Sequence, residues 1–224
     1  MQLPAGLVDF LSEQPGIRLM PRTDGVWRLH GTYSLDATHA TAGHVKREFL
    51  LNIDVPESFP AHPPVVFEIG AQIPRIPEFH VNPSCGSLCL GSPLALWRVL
   101  RFSPDLEAFL AQTLRPYLYA VSVKLQTGRD FVFGELRHGT AGQLQDLADD
   151  LKLPENRVVE SLDLLFVPRD IADVHPCPCG CGRHFGACEL RVRLDEICAL
   201  ASEAWLRQLR NDIEALMATD QTAT

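Results

Sequence analysis

A cysteine on an irregular loop is the residue of this chain best suited to chemistry. Cys89 lies in the segment 80–91, HVNPSCGSLCLG, a few residues after His80 and Asn82. The Gly, Ser and Pro content of this segment excludes a regular helix or strand, and functional residues are often carried on loops. A thiolate is a nucleophile, and an amide such as that of Asn82 can donate to the oxyanion formed at an attacked carbonyl. The segment therefore predicts acyl-group chemistry on Cys89.

A second group of thiols lies near the other end of the sequence. Four of the seven cysteines fall in the segment 175–189, HPCPCGCGRHFGACE. The odd cysteine count and an N-terminus unlike a secretory signal lead us to expect a cytoplasmic protein with reduced thiols rather than disulfides. No position in the segment is evidently left open for water. It therefore predicts tetrahedral zinc with a structural role.

The same segment resembles the zinc motif at the C-terminus of SecA, Cys-x-Cys-Gly-x-Gly, then Cys followed by Cys or His. The resemblance implies three ligands, Cys177, Cys179 and Cys188. Glu189 stands where the fourth ligand of that motif is expected. Cys181 is the best substitute by chemistry, while His175, His184 and Glu189 remain candidates. Such a knuckle usually contributes folding energy and protein contacts.

The elements before the cysteine loop are typical of a small sheet that packs with a helix. Residues 3–13 place apolar side chains at helical spacing, and Pro15-Gly16 ends the pattern. Three segments with strand-like alternation or composition follow: 25–33, 46–55 and 64–69. Short polar turns separate them, which favours an antiparallel meander with one buried face.

Helical patterns follow the cysteine loop. Ser103-Pro104-Asp105 predicts a helix start, with serine as the N-cap and proline at the first helical position. This helix would reach Pro116 and continue, after a kink, towards Val123. One helix packed across the sheet gives an α+β fold. Further helices are predicted at three places, 140–151, 157–165 and 191 to about 217.

Four short motifs in residues 1–123 occur in the order found in ubiquitin-conjugating enzymes. The segment 55–67, VPESFPAHPPVVF, resembles their Pro-Phe-x-x-Pro-Pro strand, and His80-Val81-Asn82 resembles their His-Pro-Asn motif. Gly-Ser-Leu-Cys-Leu at 86–90 resembles the Gly-x-Ile-Cys-Leu around their catalytic cysteine. Phe-Ser-Pro at 102–104 resembles their Trp-Ser-Pro helix start.

The resemblance implies a mechanism and a set of partners. Cys89 would accept the C-terminal acyl group of a ubiquitin-like protein from an activating enzyme as a thioester, then pass it to an amine, usually a lysine of a target protein. Asn82 would donate to the oxyanion of that transfer. His80 would mainly hold the loop in shape, and a role as catalytic base stays open.

The sequence departs from the family pattern at several points. Val81 replaces the proline of His-Pro-Asn, and Gly91 replaces a frequent acidic residue. The connection that follows Cys89 is longer than usual, which predicts an inserted flap over 92–101. The two terminal helices common in the eukaryotic fold are not recognisable. These features suit a divergent bacterial member of the kind that occurs in ubiquitin-like and antiviral operons. Cys85 is either an incidental loop thiol or a regulatory partner of Cys89.

The resemblance and the helical patterns together predict four regions. They are a ubiquitin-conjugating-like catalytic domain over 1–125, a helical extension over 126–174, a zinc knuckle over 175–190 and a C-terminal helix over 191–218.

Charge and hydropathy narrow the classes of partner. The formal net charge of −8 argues against a nucleic-acid surface, and no apolar run approaches the length of a membrane span. Protein partners remain: a modifier or another protein with an activated C-terminus, an activating enzyme and a target. The alternative function is a non-catalytic scaffold of the same fold that binds a ubiquitin-like partner. A cysteine hydrolase is a third reading, weakened because no separate histidine motif offers a base.

Overall fold

Alternating apolar residues build a four-stranded antiparallel sheet. The computed structural model describes residues 3–22, 24–134, 137 and 139–222, the last three without their side chains. The strands are β1 (Ile17–Leu19), β2 (Val26–His39), β3 (Gly43–Pro56) and β4 (Val65–Glu68), and they are paired in chain order. Every second residue of β3 from Phe49 to Val55 is buried, as expected for a strand with one face on the core. The predicted antiparallel meander is confirmed.

The strands differ in length from the predicted segments. The pairing of β2 with β3 extends from Val26 opposite Pro56 to His39 opposite Gly43. Both strands therefore run beyond the predicted segments 25–33 and 46–55 and form a hairpin. Most side chains of this hairpin are polar, so the alternation of apolar and polar residues is not evident in the sequence. The short strand β1 was not predicted at all, because three residues are too few for a periodic signal.

Helices on one side of the sheet complete the first of two compact units, residues 1–135. They are α1 (Leu7–Glu13), a 3-10 turn (Pro77–Phe79), α2 (Pro93–Phe102), α3 (Leu106–Gln112) and α4 (Leu114–Thr127). Phe109 of α3, Leu118 of α4 and Phe49 of β3 are fully buried in one core. An α+β architecture is thereby confirmed.

The predicted helix start at Ser103 is wrong. Asp105 is the N-cap of α3, because its backbone is extended and its carboxylate accepts from the Ala108 N–H at 2.9 Å. Ser103 instead ends α2, donating its N–H to the Val99 carbonyl. A carboxylate is a strong cap that also interacts favourably with the helix dipole.

The predicted kink at Pro116 is also misplaced. The helical path breaks at Thr113, whose hydroxyl donates to the Phe109 carbonyl at 2.7 Å. Pro116 lies in the first turn of α4, where the missing N–H removes no intrahelical hydrogen bond.

The predicted flap over 92–101 is a regular helix, α2. The Ser92 hydroxyl accepts from the Ala95 N–H at 3.2 Å, and Pro93 occupies the first helical position. Leu94 and Leu100 are buried. Ser92-Pro93 has the same serine-proline pattern of a helix start as Ser103-Pro104.

The second compact unit, residues 136–224, is helical. It contains α5 (Gly139–Leu151), α6 (Val158–Asp163), α7 (Arg169–Ala172), α8 (Glu189–Cys198) and α9 (Glu203–Thr222), with 3-10 turns at Glu155–Arg157, Leu164–Phe166 and Phe185–Ala187. The helices predicted at 140–151 and 157–165 are confirmed as α5 and α6.

The single C-terminal helix predicted over 191–218 is wrong, because α8 and α9 are separate. The chain leaves α8 after Cys198, and the Ser202 hydroxyl accepts from the Trp205 N–H at 3.2 Å at the start of α9. Ala201 between them is buried. Capping by Ser202 therefore interrupts an apolar pattern that continues across the break.

No helix in the described part of the chain is both long and apolar enough to cross a membrane.

Candidate active site and metal centre

The cysteine loop is fixed to the edge of the sheet. Ser87 pairs with Phe67 of β4, and the Leu88 N–H donates to the Val66 carbonyl at 2.8 Å. Successive residues of an extended segment face opposite sides. Leu88 is buried in the core with Val66, so Ser87 and Cys89 face the other side. The half-buried Cys89 thiol is thus carried on a segment that the sheet holds in place.

The His-x-Asn segment is joined to the cysteine segment by backbone hydrogen bonds. The Cys89 N–H donates to the His80 carbonyl at 2.7 Å, and the Asn82 N–H donates to the Ser87 carbonyl at 2.8 Å. Val81 pairs with Leu88 between them and is buried. The position that proline occupies in the His-Pro-Asn motif is therefore filled by a residue that packs into the core. The backbone of His80 thus pairs with that of Cys89, and the backbone of Asn82 pairs with that of Ser87, two residues before the thiol.

Aromatic side chains pack behind His80. The His80 ring meets Phe131 edge-on with centroids 4.8 Å apart, and the Tyr117 hydroxyl donates to the Phe79 carbonyl at 2.8 Å. Burial raises the pKa of Tyr117, and a negative charge on Cys89 raises it further. Tyr117 therefore stays neutral close to Cys89. His80 is thus packed against an aromatic ring, and Tyr117 holds the carbonyl of the residue before it.

Asn82 does not act alone, because its amide donates to the Ser87 hydroxyl at 2.8 Å. The same hydroxyl lies 3.1 Å from the Cys85 sulfur. A serine hydroxyl can accept one hydrogen bond while it donates its single hydrogen in another. Ser87 can therefore accept from Asn82 and donate to the Cys85 sulfur. This bond to Ser87 lowers the pKa of the exposed Cys85 thiol. The asparagine amide carries two N–H groups, and one bond to Ser87 leaves the second for an oxyanion.

Ser87→Ala should slow the alkylation of Cys85. Without the hydroxyl the pKa of Cys85 rises, so less thiolate is present near pH 7.5 and the rate falls a few-fold. Iodoacetamide labelling, followed by peptide mass spectrometry between pH 6.5 and 9.5, measures this. The rate profile of Cys85 should move to higher pH. An unchanged profile would show that Ser87 does not stabilise the thiolate.

Gly91 stands where the ubiquitin-conjugating enzymes that these motifs resemble often have an acidic residue. Its φ of +154° disfavours other residues, and a Cβ atom there would lie 3.4 Å from Leu96 of α2. Its carbonyl is 3.9 Å from the Cys89 sulfur. The acidic side chain found here in other proteins would meet the helix that follows in this chain.

Sequence reasoning missed a buried carboxylate near this loop. Glu68, at the end of β4, is 4% exposed and accepts from the backbone N–H groups of Gly70, Gln72 and Ile73 at 2.7, 3.1 and 3.4 Å. The two oxygens of a carboxylate can accept hydrogen bonds from several backbone N–H groups of a turn, and the negative charge strengthens these bonds. The signal was an acidic residue in an apolar strand, with a glycine two residues later.

Four sulfur atoms meet in the second unit. The Sγ atoms of Cys177, Cys179, Cys181 and Cys188 all lie within 4.8 Å of one another. The Cys177–Cys179, Cys179–Cys188 and Cys181–Cys188 distances are 3.2, 3.6 and 3.7 Å. Four sulfurs bound tetrahedrally at about 2.3 Å from zinc are about 3.8 Å apart. The four side chains therefore fit a single tetrahedral metal ion, and they could hold one.

Backbone turns present these sulfurs. The Gly180 N–H donates to the Cys177 carbonyl at 3.1 Å, and the Cys177 N–H donates to the Arg183 carbonyl at 2.9 Å. Gly180 has a φ of +76°, which glycine adopts without strain. Cys188 enters from the other side as the N-cap residue of α8. The fully buried ring of Phe185 anchors this return to the helical core.

The geometry favours Cys181 as the fourth sulfur. Glu189 forms an ion pair with Arg193 at 2.6 Å, and the His184 Nδ1 contacts the Val174 carbonyl at 2.7 Å. Among the described residues, the group of side chains that could hold a metal ion consists of the four cysteines and does not include His175.

Unequal environments also distinguish the four thiols. Burial raises the pKa values of Cys177 and Cys179, whereas hydrogen bonds from Arg183 and its backbone lower that of Cys181 to about 6. A metal ion that binds thiolates would compensate for the burial of the first two.

Comparison with known proteins adds no assignment. No protein-family model, no curated protein and no solved structure matches this chain.

Proposed function

We propose that this protein is a ubiquitin-conjugating-type cysteine acyltransferase that carries a ubiquitin-like protein as a thioester on Cys89. The observation that carries the proposal is the hydrogen bond from Cys89 N–H to the His80 carbonyl. It places a half-buried thiol beside the His-x-Asn segment, on a loop fixed to β4. The antiparallel meander and the motif order support the same function.

The proposed reaction has two acyl transfers. The Cys89 thiolate attacks the carbonyl carbon of a modifier thioester, and the thiolate of an activating enzyme leaves. A lysine amine of the target then attacks the new thioester, and a tetrahedral oxyanion forms. The second N–H of Asn82 donates to that oxyanion. Its collapse expels the Cys89 thiolate and leaves an amide, while the amine proton passes to solvent.

A structural zinc ion completes the proposal for the second unit. Cys177, Cys179, Cys181 and Cys188 would hold it, since four thiolates leave no open position for catalysis. Its contribution would be to fix the return of the chain at Cys188 into α8.

A non-catalytic scaffold is the second candidate, and one observation favours it. The Asn82 amide is bonded to Ser87, so in this structure one of its donors is spent on the loop itself. A scaffold would need the loop to be rigid and would not need an oxyanion donor.

Asn82→Ala should separate the two candidates. The probe is a short synthetic peptide ending in a Gly-Gly thioester, incubated with the full chain and then with free lysine. We expect loading of Cys89 to persist, while its aminolysis slows by about a hundredfold because the oxyanion loses its donor. Intact mass spectrometry follows both steps.

Two further variants control this comparison. Asn82→Asp keeps the size but replaces the donor by a charge, so it should also slow aminolysis. Asn156→Ala removes an exposed amide from the other unit and should change nothing. Equal aminolysis by Asn82→Ala and the wild type would exclude the oxyanion role, and a chain that never loads would favour the scaffold.

A further inference from the structure

A cavity of about 210 Å³ lies in the first unit, lined by α1, β2, α3 and Arg115 of α4. None of the residues named around Cys89 lines it. Its apolar side includes Phe10 and Tyr33, whose rings stack with centroids 6.4 Å apart at 24°, and the buried Leu110. Pockets that enclose drug-sized ligands are roughly 300–1,000 Å³. This smaller space fits one side chain.

Tyr33 brings a polar atom to this cavity without a partner for it. The residue is only 5% exposed, yet no hydrogen bond joins its hydroxyl to any residue within the described ranges. Burial raises the pKa of Tyr33, so the hydroxyl is neutral. The Tyr33 side chain is otherwise enclosed, but its hydroxyl reaches the open cavity, where a ligand could form a hydrogen bond with it.

The charges around Tyr33 are mainly negative. Glu13 and Glu107 line the cavity, and neither forms a hydrogen bond or ion pair through its carboxylate in the described part of the chain. Burial and the neighbouring Glu13 raise the pKa of Glu107. Arg115 is directed to the Asp36 carbonyl at 2.9 Å, and the Asp36 carboxylate contacts His44 at 2.8 Å. A cation would relieve the repulsion between the two glutamates.

We propose that this cavity binds the side chain of an arginine presented by a partner protein. A guanidinium is a planar fork of donors that can bond Glu13, Glu107 and the Tyr33 oxygen together, and it stacks well on aromatic rings. A lysine ammonium is a compact charge that matches this arrangement less well. Free arginine brings an α-carboxylate, which the two glutamates would repel. The site is independent of acyl transfer on Cys89.

Titration of the isotope-labelled full chain with acetyl-Gly-Arg-Gly-amide tests the proposal. We expect saturable NMR shifts at the backbone amides of Gln14, Ser34 and Ala111, with a Kd on the order of 1 mM for one side chain. The citrulline peptide has the same shape without the charge and should bind at least about tenfold more weakly.

Variants of the cavity sharpen the test. Glu107→Gln should weaken binding of the arginine peptide about tenfold, and Tyr33→Phe should weaken it a few-fold. Both variants should keep the NMR spectrum of the folded chain. Glu78→Gln removes an exposed carboxylate outside the cavity and should leave binding unchanged. Equal binding of the citrulline peptide, or no saturable shift at these amides, would overturn the proposal. Tighter binding of spermidine than of the peptide would also overturn it, in favour of a free polyamine.

Discussion

Cys89→Ala is expected to abolish acyl transfer completely. The substitution removes the only group of this chain that bonds to the acyl carbon in the proposed mechanism, so no thioester forms on the protein and no amide product follows. The half-buried thiol is replaced by a smaller apolar side chain on a segment held by backbone hydrogen bonds. The fold should therefore survive, and a thermal melt close to that of the wild type would confirm it. Mass spectrometry of the amide product formed from the Gly-Gly thioester peptide and lysine measures the effect.

Cys85→Ala is the matched control for this prediction. Cys85 is exposed, lies in the same loop and has a lowered pKa, so it is the neighbouring thiol that could react in place of Cys89. We expect its variant to retain transfer at nearly the wild-type rate. If Cys85→Ala loses transfer and Cys89→Ala keeps it, the nucleophile has been assigned to the wrong cysteine.

Removal of the metal is expected to destabilise the second unit strongly. Without an ion, no metal would join the buried thiols of Cys177 and Cys188, and the turn that carries Phe185 would be less firmly fixed. Structural zinc supplies about 10–16 kcal/mol in isolated zinc-finger peptides. Because the second unit also has a helical core, its free energy of unfolding should fall by less, about a few kcal/mol. Its Tm should fall by about 10–20 °C.

Circular dichroism melts with and without a zinc chelator test this expectation. Metal analysis of the purified protein should give about one zinc ion per chain. Cys177→Ser should lose the ion and show the lower Tm even without chelator. Cys198→Ser changes an exposed cysteine of the same unit outside the cluster and should behave like the wild type. A chelator that leaves the Tm unchanged, with no metal in the wild type, would contradict the proposed zinc site.

The cysteine loop and the thiol cluster could be predicted because residue type and local spacing largely define them. Cys177, Cys179 and Cys188 recur at short separations, and their sulfurs do meet with that of Cys181. The His-x-Asn segment and Cys89 are similarly brought together by a turn of few residues. Alternation in β3 predicted its buried face for the same reason, since strand periodicity is local.

Features that depend on competition between neighbouring residues could not be predicted. Ser92 and Ser103 both precede proline, and only tertiary packing makes the first a helix N-cap and the second a helix end. The break between α8 and α9 depends on Ser202 and the buried Ala201, in a stretch with no glycine or proline to mark it. The bond of Asn82 to Ser87 and the cavity beside Tyr33 arise from side chains that only the fold brings together.

The location of the acyl group on the loaded wild-type protein decides whether Cys89 is the nucleophile. After incubation with the Gly-Gly thioester peptide, the chain is digested at low pH and the modified residue is identified by tandem mass spectrometry. We expect one acyl group on Cys89, removed by dithiothreitol and absent when the protein is alkylated beforehand. An acyl group on Cys85, or none on either thiol, would contradict it.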